Sequence, residues 1–343
     1  LGNKAVFWIE PDCFIVNIVF AWEQAIGKTT QSEVGMIGSH RFPMYRPVND
    51  RVDVDYLISY FLTKRGTDIL EAASPGGAGR NKTLGQDRFL KSKVILPPIE
   101  EQHKIAAILI TQDKVIELKE KRLAEKQRQK KYLMQQLLTG KKRLPGFNGT
   151  WEKEKLGKCA SMCSGGTPDT KNEKYYGNDC IWISIKDMTS AGKYICSSER
   201  RLTEAGLLNC SARLFPKGTI LFAMYASIGE CSIAETECCS SQAILGIEPD
   251  SKLNNEFLYY LLSNSKGYFK SFGQASSQPN LNKGIVQSIV VQIPEIEEQA
   301  AIAEVLSTAD REIELLQQDI EQEKQKKKAL MQLLLTGIVR VKT

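Results

Sequence analysis

Sliding the chain along itself by 197 residues lays PPIEEQHKIAAIL (97–109) on PEIEEQAAIAEVL (294–306), and KKYLMQQLLTG (130–140) on KKALMQLLLTG (327–337). Between Pro97 and Arg143, 23 of 47 positions are identical without a gap. A match at that level makes the chain a tandem duplication, so any fold it adopts has to be built twice. A shift of 202 carries the match upstream, setting Ile18, Phe20, Ala21, Ile26, Gly27 and Ser39 on Ile220, Phe222, Ala223, Ile228, Gly229 and Ser241. If Trp151 opens a repeat, its counterpart falls about 50 residues before Leu1, so the first copy is expected to lack its opening part.

Each copy ends in a segment with helix punctuation. After Pro97 and Pro98, or Pro294, an Ile-Glu-Glu-Gln opening suits the positive end of a helix dipole, and Gly140 or Gly337 supplies a residue able to adopt positive φ. Roughly 40 residues separate these signals, a helix of about 60 Å and too long for one face of a compact globule. Its apolar pattern is a heptad. Leu109, Ile116, Leu123, Lys130 and Leu137 form one column, flanked by Ile105, Gln112, Lys119, Lys126 and Leu133. The second copy has Leu306, Ile313, Ile320, Lys327 and Leu334, flanked by Ile302, Ala309, Leu316, Glu323 and Leu330. Pairing through Leu109, Ile116, Leu123, Leu137, Leu306, Ile313, Ile320 and Leu334 is expected to give an antiparallel coiled coil. The alternative is that each stripe packs on its own globule.

Charge supports the pairing. Residues 98–150 hold twelve basic and six acidic residues, residues 295–343 seven and ten, whereas 1–97 and 151–294 are close to neutral. Opposite net charges of +6 and −3 favour association of the two helical segments. Nucleic-acid binding therefore cannot be argued from bulk charge. Nine cysteines without a CxxC pair, and only His40 and His103 as imidazoles, argue against a zinc site and for reduced, mostly buried thiols. The longest apolar stretch, 14–22, is too short to cross a bilayer and no secretory signal is visible, so a cytoplasmic location is expected.

Segments 180–185, 218–223 and 285–293 read as strands and 254–272 as an amphipathic helix; 17–21, 54–70 and 89–96 are the matching strand, helix and strand of the first copy. The expected fold class is α+β: two similar globules separated by two long helices. The boundaries are residues 1–97 for the first globule, 98–143 for the central helix, 144–150 for a linker, 151–294 for the second globule and 295–343 for the distal helix.

Catalytic machinery is not evident. Residues 77–82 lack the spacing of a dinucleotide or phosphate loop, two histidines cannot supply a triad in both copies, and no carboxylate pair recurs. What remains are polar and aromatic side chains on Gly-, Pro- and Ser-rich loops, able to present donors and acceptors to base edges and phosphates. In the first copy these are Trp22, Gln24, Lys28, Ser39, His40, Arg41, Arg80 and Lys82; in the second, Thr167, Tyr175, Tyr176, Lys186, Tyr225, Ser227, Ser241, Gln242, Gln278 and Asn280. Singly, each is as well explained by turn or core packing. As loops that differ between two similar repeats, they suggest two targets held at a fixed distance.

LPPIEEQHKIAAIL with LMQQLLTGKKRLPGFNGTW, and IPEIEEQAAIAEVL with LMQLLLTG, resemble the conserved regions of the DNA-specificity subunits of Type I restriction-modification systems. SGGTP (164–168), FPKGTILFAMYASIG (215–229) and FLYYLLSN (257–264) resemble that family's target recognition domains. The resemblance implies a non-catalytic protein in which each recognition domain reads half of a bipartite site in double-stranded DNA. It implies that the helices set the spacer and dock two methyltransferase subunits, to which restriction and translocase subunits add. It also implies that S-adenosylmethionine, ATP and magnesium belong to those partners, with no cofactor bound by this chain. A protein-binding scaffold with two heads, or an enzyme with an unrecognised site, are the other classes the residues permit.

Overall fold

The computed structural model describes residues 6–76, 82–269 and 281–342. The chain divides into two compact units, residues up to Leu123 together with those from Leu315 onward, and Ala124–Glu314. Each unit holds one globule and a length of both long helices, which run over Ile99–Leu137 and Ile296–Leu335.

The expected heptad stripe is the buried stripe. In both helices every seam position is buried or half-buried, while most positions between them are exposed. The polar seam positions are bridged. In the first unit Lys119 meets Asp319 at 2.8 Å and Glu323 at 2.9 Å, Gln112 donates to Glu323 at 2.6 Å, and Lys327 meets Asp113 at 2.5 Å. In the second unit Lys126 meets Glu312 at 2.6 Å, and Lys130 pairs with Asp310. Within each unit rising numbers on one helix meet falling numbers on the other, so the packing is antiparallel.

The first globule has a three-stranded antiparallel sheet with Phe14–Val16 between Ile26–Lys28 and Met44–Tyr45, plus a ribbon of Val6–Trp8 on Ile37–Ser39. Its core, with Phe14, Tyr56, Phe61 and Leu70, takes in Ile105 and Leu109 from its own long helix and Leu334 and Leu335 from the far end of the other. The second globule repeats this scheme: Phe222, Phe257, Leu258 and Phe269 pack with Ile302 and Leu306, and with Leu137 and Leu138. Its larger sheet runs in the order Ala160–Ser164, Ile244–Pro249, Ile220–Ala223, Cys231–Ala234, Tyr194–Ile195, with only the last pair parallel. A second sheet sets Tyr176–Ile183 between Arg200–Leu202 and Cys239–Ser240.

Several sequence assignments are corrected. Residues 17–21 are not a strand, because the Asn17 side chain accepts from the Val19 amide at 3.0 Å and closes a turn. The sheet's middle strand is Phe14–Val16, so the match at 202 holds only locally: Gln24 and Ala226 both have positive φ, and each carbonyl accepts from the amide two residues on. Residues 54–70 are two helices, Val54–Phe61 and Lys64–Ala72; Thr63 caps the second, and Gly66 lies where a Cβ would strike the Tyr60 carbonyl. Residues 89–96 form no strand: Phe89 belongs to the helix Gln86–Leu90, and among the described residues, 91–96 pair with no strand. Residues 285–293 are half helix, Lys283–Ser288 capped by Asn282, and half strand, Val290–Ile293, paired with Glu152–Lys155. The helix expected over 254–272 is broken once, at Ser265: Asn255–Asn264 is followed by helical residues 266–269, and residues 270–272 lie outside the described residues.

The nine cysteines are free thiols, five of them buried. Among the described residues no helix is long and apolar enough to cross a membrane, and no cluster of three or more His, Cys, Asp or Glu could hold a metal.

Candidate nucleic-acid interface

In both copies the Glu-Glu-Gln opening of the long helix roots a globule. Gln102 accepts from the Asp53 amide at 3.0 Å and donates to the carbonyls of Arg51 at 2.9 Å and Pro97 at 2.8 Å. Gln299 does the same to Asn254, Lys252 and Pro294 at 2.8, 2.9 and 2.8 Å. Asp53 and Asn254 in turn cap the globular helices that succeed them, Val54–Phe61 and Asn255–Asn264. One residue earlier, Glu101 is forked by Arg340 and Glu298 by Arg143. Arg340 holds the Glu101 carboxyl below the usual carboxylate range against the opposing effect of burial. The dipole pattern accounts for Glu101 and Glu298 but not for their arginine partners, although the recurrence of Arg143 as Arg340 at the 197 offset is the signal that could have found them.

The second globule has one further anchor. Lys193 donates to the Tyr260 hydroxyl at 2.8 Å and pairs with Glu256 at 2.5 Å, and Tyr260 donates to Asp310 at 2.5 Å, beside Lys130. Burial raises the Tyr260 phenol, so it stays a donor. The first copy has Ser59 at the matching position of its globular helix and lacks the tyrosine.

Of the loop candidates in the first globule, several are already engaged. The Trp22 indole donates to the Val19 carbonyl at 3.1 Å, with the Lys82 ammonium 5.1 Å from its ring centroid. Gln24 donates to Thr67 at 2.6 Å. Lys28 is held at 2.8 Å by Asp55 and 3.4 Å by Asp12; the Asp55 hydrogen bond raises its pKa. Ser39, His40 and Arg41 share one turn, closed by the Phe42 amide on the Ser39 carbonyl, with His40 and Arg41 exposed. Arg80 lies outside the described residues.

In the second globule the SGGTP turn is packed rather than presented. A Cβ on Gly165 would strike Ser240 and one on Gly166 would strike Ala212, while the Trp182 indole donates to the Gly166 carbonyl at 2.9 Å. Thr167 and Tyr175 are half-buried, and the Tyr176 hydroxyl donates to Pro168 at 3.3 Å. Lys186 pairs with Glu199 at 2.6 Å. Tyr225 and Ser227 are half-buried on either side of Ala226, whose φ of 55° marks a strained turn. Ser241 donates its amide to Ile183, which leaves Gln242 exposed beside it; Gln278 and Asn280 lie outside the described residues. Of the described loop candidates, His40 and Arg41 in one globule and Lys186 and Gln242 in the other are exposed, with Lys186 held by Glu199.

A profile of the Type I restriction modification DNA specificity domain matches residues 11–127 and 148–325. The chain belongs to that family. It is similar to the Type I restriction enzyme MjaIX specificity subunit of Methanocaldococcus jannaschii, 36% identical over 167 residues, a stretch covering 48% of this chain and 39% of that protein. A putative MjaX specificity subunit from the same organism is 27% identical over 312 residues, 88% of this chain and 71% of that one. Among solved structures, the HsdS subunit of Thermoanaerobacter tengcongensis superposes with a TM-score of 0.55 at 19% identity, over 99% of this chain and 84% of that one. A chain from a study of complex assembly and conformational transition of the type I R-M system gives 0.62, also at 19%, over 98% and 84%. For a Type I specificity domain these likenesses establish the fold, two α+β repeats joined through long helices.

Proposed function

We propose that this chain is the non-catalytic DNA-reading component of a cytoplasmic Type I restriction-modification assembly. Each globule reads one half of a bipartite duplex target, and the paired helices set the spacer between the halves. The helices also dock two methyltransferase subunits, with restriction and translocase subunits added; S-adenosylmethionine, ATP and magnesium are bound by those partners. The observation that carries the reading is the doubled root: Gln102 with Glu101–Arg340, and Gln299 with Glu298–Arg143, plant two globules with different exposed loops on the same helical scaffold. Half-sites must keep a defined separation on DNA, and a coiled coil is stiff enough to impose one.

The test is methylome sequencing of cells carrying the chain with its methyltransferase. Replacing residues 151–294 by the same region of another family member is expected to change one half-site and to leave the other half and the spacer unaltered. Change in both halves, or no methylation pattern that depends on this chain, refutes the reading.

A further inference from the structure

The surface of the second globule carries a cationic edge that the loop candidates do not include. Arg200–Leu202 is the outer strand of the smaller sheet, antiparallel to Tyr176–Ile183, with Arg200 opposite Trp182 and Arg201 opposite Ile181. The register then jumps, so that Leu202 meets Tyr176. That irregularity throws residues 177–180 out of the ladder and turns the strand. Leu202 is fully buried with Trp182, Ala212 and Cys239, which fixes the strand from below.

Both arginines are exposed, and among the described residues neither forms an ion pair. Arg200 lies 5.9 Å from the Tyr176 ring centroid, an arrangement that orders a guanidinium without neutralising it. Together with Thr170, Tyr176 and Gly177 they line an open cleft of about 630 Å³. Its carboxylates are Glu173 and Glu199, and Glu199 is already held by Lys186. Lys171 and Lys174, exposed on the preceding turn, add two positive charges. An edge strand with two unneutralised, partly ordered forks matches a polyanion with regularly spaced phosphates better than a single small anion, for which a closed pocket would be needed.

We propose that Arg200 and Arg201 on this edge strand contact the phosphate backbone of duplex DNA, clamping the second globule on its half-site. The inference rests on the DNA-reading function proposed above and assigns residues to it. Arginine on a strand edge positions the protein without specifying bases, so its loss weakens all sequences alike.

The experiment measures fluorescence anisotropy of a labelled 40-base-pair random-sequence duplex between about 50 and 200 mM salt. The full chain is titrated alone and assembled with its methyltransferase subunit. For the Arg200→Ala/Arg201→Ala double variant the slope of log affinity against log salt is expected to flatten by about 1.8, that is about 0.9 per lost phosphate contact. Arg200→Lys/Arg201→Lys retains the slope because it retains the charge. An unchanged slope in the alanine variant, with wild-type thermal melting, overturns the assignment while leaving DNA reading intact. Absence of salt-sensitive binding by the wild-type assembly overturns both.

Discussion

Glu101 is forked by the Arg340 guanidinium, Nε donating to Oε1 at 2.8 Å and Nη2 to Oε2 at 2.6 Å, and Glu298 accepts the equivalent pair from Arg143 at 2.6 and 2.7 Å. Both carboxylates are almost fully buried, and each arginine lies just past the end of the opposite helix. Removing an arginine strands a buried charge. Arg340→Met is therefore expected to lower the melting temperature by several degrees at pH 7. Because Arg340 depresses the Glu101 pKa, the stability it contributes is complete above the ordinary carboxylate range and is lost as pH falls through the lowered value. Calorimetry from pH 7 to pH 3 should show the variant and wild type converging in acid; a constant gap would contradict this account.

Gln299 is fully buried and pairs three backbone groups. Each buried backbone group left unpaired costs about 1–3 kcal/mol, so Gln299→Leu is expected to be among the most damaging single changes outside the apolar core. Urea unfolding would read it, with Gln102→Leu expected to give a similar loss. A near-neutral result for both would mean that the glutamines do not root the globules.

Glu323 accepts from Lys119 and Gln112, and Lys119 above all pulls its pKa down to about 2. With the folded value depressed, its contribution to helix pairing is present above its unfolded value and disappears between about pH 4.5 and 2. Lys119→Met should return the Glu323 titration, tracked by carboxyl NMR, toward the ordinary range.

Cys180 and Cys239 bring their sulfurs to 3.3 Å, and the hydrogen bond lowers the Cys180 thiol to about 7 while Cys239 is raised. Alkylation at Cys180 should reach half its maximal rate near neutral pH. In Cys239→Ala the midpoint should move up by a unit or more, since burial alone raises it. Peptide mass spectrometry separates this site from the exposed Cys196.

Matched insertion of four residues after Leu123 and after Glu314 adds about 6 Å to each helix while nearly keeping the seam in phase. With about 3.4 Å per base pair, the methylated spacer is expected to lengthen by one or two base pairs with both half-sites unchanged. Insertion of two residues turns the seam by about 200° and should abolish pairing. An active four-residue variant with the original spacer would remove the ruler role.

The long helices and their facing stripe were legible because a heptad is a local, periodic signal; Leu109, Ile116, Leu306 and Ile320 are buried as the pattern requires. Strands were read less well because they depend on partners far away in sequence. Residues 94–96 are a short apolar run like that of Val290–Ile293, yet among the described residues only the latter has a strand, Glu152–Lys155, to pair with. The candidate loops fell between these cases. His40, Arg41 and Gln242 are exposed, whereas Lys28, Gln24 and Lys186 are spent on neighbours that no sequence pattern announces. Arg200 and Arg201 lie on an edge strand, whose charge leaves no spacing signature in the sequence.

The presence of Leu334 and Leu335 in the first globule's core sets the timing of its folding during synthesis. Phe14 and Tyr56 leave the ribosome more than 250 residues before the leucines that close over them. The second globule has a shorter wait: Leu137 and Leu138 are made first, and its last core contributions, around Leu306, come before Leu334 and Leu335. The first-made globule is thus the last to be finished, its apolar surface open until residues 334 and 335 emerge, and a ribosome that stops short of residue 334 releases a chain with one completed head and one unfinished.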